Sequence, residues 1–91
     1  MRYQSSPRFD RSVKRLDPSR RRVIQETIER LVATFETGEV PRGLGLKQLR
    51  PGLWECRAGL SDRVLFFRHR DAVEFLLAGN HDDIARALRS L

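Results

Sequence analysis

Three short apolar runs crowd the second half of the chain: LWECRA (53–58), RVLFFRH (63–69) and AVEFLLAG (72–79). Each is rich in aromatic, branched and aliphatic residues and too short to stand as a helix. The links between them are only GLSD and RD, lengths that join antiparallel neighbours and cannot hold a crossover. A three-stranded meander is therefore predicted, and the residues before it have to cover one of its faces.

The cover is legible upstream. Phe9, Val13 and Leu16 recur at helical spacing, and Asp17-Pro18 restarts the chain, Asp as a cap and Pro in a first turn. Ile24, Ile28, Leu31 and Phe35 then form a stripe, with Val23 and Val32 beside it, on a helix expected from Pro18 to Glu36 and stopped at Gly38. Two amphipathic helices joined by LDPS read as a helical hairpin. Residues 39–52, punctuated by Pro and Gly, are a connection with one short extended piece at Leu46–Leu49. Met1–Ser5 is expected to add a strand, and Ile84 and Leu88 mark a short C-terminal helix. The fold class expected is α+β: an N-terminal helical hairpin packed on a small antiparallel sheet of three to four strands, closed by that helix. Residues 1–91 suffice for one modest core and make a single domain.

Charge narrows the class of partner. The formal net charge is +6, carried by sixteen Arg and two Lys against twelve acidic residues. Residues 1–22 alone carry +6, whereas residues 23–41 carry −3. A basic front end favours a polyanion or an acidic protein as partner, although an arginine-rich genome produces the same composition. Arg20, Arg21 and Arg22 open the long helix, where positive charge opposes the helix dipole, so intrinsic helix stability does not explain them. Three readings stand for them: a grip on RNA, attraction of an acidic protein, or a solvated face. No apolar run is long enough to span a bilayer, and the first residues lack a secretory apolar segment. Cys56 is the only cysteine, and no Cys/His spacing suggests zinc, so the expected setting is the cytoplasm, with no metal or cofactor and no membrane.

Side-chain alternation sorts the strands. Trp54, Cys56 and Ala58 point towards a core, and Glu55 and Arg57 point away from it. Arg63 opens the next strand just across the hairpin from Arg57, and His81 follows the end of the third. Glu55, Arg57, Arg63 and His81 are thereby expected at one side of the sheet, with Lys47 and Arg50 at its rim.

With these elements in order, LKQLRPGLWECRAGLSDRVLFF (46–67) followed by VEFLLAGNHDD (73–83) resembles the RelE/ParE superfamily of type II toxins. The resemblance implies a small toxin held in check by a short acidic antitoxin. RelE-like members cleave messenger RNA in the ribosomal A site without a metal, and ParE-like members poison DNA gyrase. Position by position, Arg63 falls on the arginine set against the scissile phosphate, and Arg57 on a basic residue of the preceding strand. His81 falls in the segment where branches of the family use Arg, His or Tyr, and Lys47 in the leucine-lysine stretch. Two departures stand out: the only tyrosine is Tyr3, so no C-terminal tyrosine exists, and Glu55 occupies a position where some members carry lysine.

RNA cleavage through its own 2′-hydroxyl needs a proton acceptor, a proton donor and cations for the charge that builds on phosphate. Arginine suits the last task because its planar fork holds two phosphate oxygens at once. Imidazole suits proton transfer near neutrality. Asn80 and Asp83 equally read as the cap of the last helix, and His81 stands between capping and catalytic readings. A carboxylate held among arginines is a weak base, so Glu55 reads either as a catalytic group or as an ion-pair partner. Lys47, Arg50, Arg20, Arg21 and Arg22 are the expected RNA contacts. Three functions remain open: a ribosome-dependent endoribonuclease, a ParE-like protein that traps gyrase by binding, and a non-toxic basic domain of the same fold.

Overall fold

The computed structural model describes all 91 residues. In chain order the elements are β1 (Arg2–Ser5), α1 (Pro7–Lys14), α2 (Pro18–Thr37), β2 (Lys47–Arg50), β3 (Leu53–Ala58), β4 (Asp62–His69), β5 (Ala72–Asn80) and α3 (His81–Arg89). No helix is long and apolar enough to cross a membrane.

Both N-terminal helices start as their sequences dictate. Ser6 accepts from the Phe9 amide (3.0 Å) to cap α1, with Pro7 in the first turn. Asp17 accepts from the Arg20 amide (2.9 Å) and the Ser19 hydroxyl (2.7 Å) to cap α2, and these donors hold its carboxyl below the usual range. Gly38 ends α2 in the left-handed region (φ 80°), its amide donating to Thr34 O. The buried stripe of α2 is Ile24, Thr27, Leu31 and Thr34, and the expected Ile28 and Phe35 lie half-buried at its margin. The two threonines tolerate burial because each hydroxyl donates back one turn, to Val23 O (2.7 Å) and Arg30 O (2.9 Å).

The sheet corrects the expectation of three to four antiparallel strands. It has five, in the order β1-β5-β4-β3-β2, and it is mixed. β2 to β5 are antiparallel neighbours, but β1 runs parallel to β5, with Arg2 beside Ala72 and Ser5 beside Phe75. The cause is the chain path. β1 leads directly into the helices, which carry the chain from one edge of the sheet to the other, so β1 shares no hairpin with any neighbour. The hairpin of helices is also looser than expected: α1 packs mainly on β5 and touches α2 less.

Two cores result. On the helical face, Phe9, Leu16, Ile24 and Leu31 meet Cys56, Val64, Phe66, Val73 and Phe75. On the opposite face α3 lays Ile84 and Ala87 over Leu53, Leu65 and Leu77. A bulge between β4 and β5 makes the second core possible. Register jumps from Leu65–Leu77 to Phe66–Phe75, which leaves Leu76 extra and turns Leu77 and Gly79 to the α3 side. The β1 edge is tied to α2 by Tyr3, whose hydroxyl donates to Glu36 Oε1 (2.6 Å). Burial and that carboxylate push the phenol up to about 12.

Candidate functional site

The hairpin of β3 and β4 sets Arg57 directly opposite Arg63 and Ala58 opposite Asp62, with residues 59–61 as the turn. Arg63 in turn lies opposite Gly79, and Asp62 opposite Asn80, so α3 begins one residue beyond the strand end that flanks Arg63. Arg57, Arg63, His81 and the turn to Asp62 thereby line one concavity of about 380 Å³.

Each side chain has a local reason for its place. Glu55, only 6% exposed, is the anchor under Arg63, whose Nη1 donates to Glu55 Oε2 (2.5 Å). A guanidinium pinned by a buried carboxylate has lost much of its rotamer freedom before any ligand arrives. Arg57 runs along the α-carbon of Gly45, where a Cβ would sit 2.8 Å from Arg57 Cγ. Since Gly45 also has φ +61°, no other residue fits that approach without strain. The turn is braced from α2: Arg20 Nε and Nη2 donate to the two oxygens of buried Asp62 (2.8 and 2.6 Å). The same bidentate contact raises the Arg20 pKa.

His81 owes its position to the cap beneath it. Asn80 Oδ1 accepts from the Asp83 amide (2.9 Å), and Asp83 Oδ2 accepts from the Asn80 amide (2.9 Å). Gly79 leaves room for this box, because a Cβ there would come within 2.6 Å of Asp83 Oδ2. The imidazole takes no part in the cap and is exposed, in the first position of α3. In NHDD, then, Asn80 and Asp83 start the helix, and His81 faces the concavity.

Of the residues singled out from sequence, the structure brings Arg57, Arg63 and His81 together, with Glu55 beneath rather than lining the concavity. Lys47 lies opposite Glu55 in the β2–β3 register and is exposed. Arg50 reaches the other end of α3, donating from Nη2 to Leu88 O (3.1 Å). Arg20 is committed to Asp62. Arg21 and Arg22 are exposed beside the groove between α1 and α2, away from this concavity. Sequence reasoning missed Asp62, which it took as part of a turn; nothing local announces a partner forty-two positions upstream. It also missed Gly45, although a glycine pair around one leucine (Gly43 and Gly45) is a sign of close backbone approach. Cys56 is sealed in the main core, where burial pushes its thiol up to about 12, out of the reactive range. No three His, Cys, Asp or Glu side chains gather as a metal-binding group.

No protein-family model and no curated protein sequence matches this chain. Solved structures do match it. YafQ from E. coli strain BL21(DE3) superposes with a TM-score of 0.68 at 13% identity, over 92% of this chain and 98% of that one. A chain of the RelB–RelE antitoxin–toxin complex from Methanococcus jannaschii gives 0.69 at 15% identity, over 92% and 96%. This chain has a RelE-like toxin fold. The archaeal RelE–RelB complex from Pyrococcus horikoshii OT3 agrees, with a TM-score of 0.64 at 17% identity over 87% and 92%. On the RelE-like fold of this chain, the Arg57–Arg63–His81 concavity opens at the end of the sheet where the β3–β4 turn meets the start of α3.

Proposed function

We propose that this chain is the toxin of a type II toxin–antitoxin system and that it cleaves messenger RNA on the ribosome. One observation carries the proposal: an exposed imidazole, His81, shares a concavity with two guanidinium groups, one of them held in place by a buried carboxylate. Binding alone needs no group able to move a proton, and a cleavage site does. The proposed unit is the whole of residues 1–91, acting in the cytoplasm.

The chemistry follows from the phosphodiester. The 2′-oxygen attacks phosphorus, its proton leaves, the bond to the 5′-oxygen breaks, and that oxygen takes up a proton. A 2′,3′-cyclic phosphate and a 5′-hydroxyl result. Arg63 and Arg57 neutralise the charge that grows on the phosphate oxygens, and Glu55 acts through Arg63 by fixing its direction. His81 transfers a proton, as acid at the leaving oxygen or as base at the 2′-hydroxyl. No step calls for a metal. Exposed Lys47, Arg21 and Arg22 add sequence-independent attraction for ribosomal or messenger RNA.

A short acidic antitoxin is the partner in this reading. Similar folds occur in the RelB–RelE and DinJ–YafQ complexes, and the +6 charge of this chain complements an acidic protein. Primer extension on translating mRNA is the test. Wild type should cut, and Arg63→Ala should cut at least about tenfold more slowly. Equal cutting by that variant removes Arg63 from the site. Growth arrest with intact message and accumulating DNA breaks would replace the nuclease with a gyrase poison.

A further inference from the structure

A second cluster of arginines, outside that concavity, lies where β5 outruns β1. Pairing with β1 stops at Phe75, so residues 76–80 form an open edge on that side. α1 covers the edge with hydroxyls: Ser6 donates to Leu76 O (3.3 Å), and Ser12 accepts from the Ala78 amide (3.0 Å). Over this edge α1 and α3 approach each other and leave a cavity of about 280 Å³, ringed by Arg8, Arg11, Arg15 and Arg86. Arg8 and Arg11 lie one turn apart on α1 and Arg15 caps its C-terminus; all three are exposed, and none has an ion-pair partner. Arg86 has a long, exposed contact with Asp83 (3.4 Å), the one carboxylate in the cavity, which is also engaged by the Asn80 amide. Guanidinium groups gathered this way repel one another and stabilise nothing within the molecule.

We infer that this cavity is a second phosphate-binding site, which seats the sugar–phosphate backbone of the RNA strand to one side of the bond cut at Arg63. The inference rests on the nuclease reading for the identity of the strand. The first turn of α3 joins the two basic concavities, His81 facing one and Asp83 and Arg86 lining the other. One strand crossing that turn meets arginines on both sides. Phosphate suits the cavity better than an acidic helix does, because paired guanidinium forks match phosphate oxygens. An amphipathic helix also needs an apolar floor. The cavity offers only Leu16, Leu77 and Ala78 for this, whereas a broader apolar floor lies in the groove between α1 and α2 with Phe9, Val13, Ile24 and Ile28.

The probe is a single-stranded oligoribonucleotide with 2′-O-methyl riboses, which cannot be cut, followed by fluorescence anisotropy across a range of salt. The triple variant Arg8→Gln, Arg11→Gln, Arg15→Gln should bind at least tenfold more weakly, with a salt slope shallower by about 2. Its melting temperature should stay near that of wild type, since all three side chains are exposed. Replacing the same three by lysine should restore the slope, because the charge returns. Unchanged affinity and slope in the glutamine triple overturn the site, as does equal competition by poly-glutamate, which would make the ligand an acidic peptide. Failure of the two readings is separable. Arginine-dependent binding without any cutting of message sinks the nuclease and leaves this site standing, whereas cutting with unaltered binding does the reverse.

Discussion

The two faces of the sheet are built to different standards. The helical face buries a cluster of twelve residues, including Phe75 with its ring against those of Phe9 and Phe66, while the α3 face buries only five. The thinner face also carries Glu55, Arg57 and Arg63. A small sheet cannot fill both sides with apolar packing and still present charge, so one side carries most of the core and the other presents the charge. Buried polar groups on the charged side are each answered by a partner, and no buried side-chain nitrogen or oxygen lacks one.

That contrast can be broken by mutation. Phe66, 1% exposed and in contact with Phe35 and Phe75, should cost about 3–5 kcal/mol as Phe66→Ala. Ile84→Ala, under the lighter cover of α3, should cost about 2 kcal/mol, the low end for such truncations, because the helix can settle into the gap. Urea denaturation of the two variants measures both. An equal or larger loss for Ile84→Ala would mean that the faces do not differ in the way described.

A second variant probes the strut that ties α2 to the β3–β4 turn. Arg20→Ala leaves Asp62, 4% exposed, without its bidentate partner. Loss of a buried pair partner is strongly destabilising, and the 40% exposure of Arg20 tempers it to about 2 kcal/mol. Cleavage should fall as well, because the turn of residues 59–61 forms the wall of the concavity. Stability lost without any change in cleavage would separate the strut from the site.

The smallest effect is one of pH, at the β1 edge. The Tyr3 phenol is raised from 10.0 to about 12, so the folded chain holds that proton more tightly than the unfolded chain does. Its contribution is therefore complete below pH 10 and is lost as pH climbs towards 12. Denaturation at pH 9 and pH 11.5 should show a decline for wild type that Tyr3→Phe reduces. Parallel decline in both proteins would exclude the phenol as its source.

How much of this was written in the residues varies by element. β3, β4 and β5 were legible because short runs with two- and four-residue links allow little but a meander. The cap of α2 was legible because proline follows Asp17, whereas the Ser6 cap of α1 went unread although Pro7 follows it in the same way. The strand β1 was visible, but its direction was not: alternation reports which face a side chain takes and is silent about the neighbour it pairs with. The threonines of α2 were passed over because burial of a hydroxyl depends on the turn before it. The bulge at Leu76 is equally hidden, since it appears only once two strands are laid in register. In the candidate site, hairpin arithmetic placed Arg57 against Arg63, and the cap placed His81. The cavity of Arg8, Arg11, Arg15 and Arg86 needed α1 and α3 to meet around a sheet edge, which local pattern cannot announce.

The pairing of β1 with β5 has a consequence for synthesis. Residues 2–5 are synthesised about seventy positions ahead of their hydrogen-bonding partners, residues 72–75. Until those partners emerge the amphipathic sides of both leading helices have only part of their sheet to rest on. β1 can take its place in the sheet only once β5 has emerged, so the parallel edge is a late contact of high sequence separation in folding.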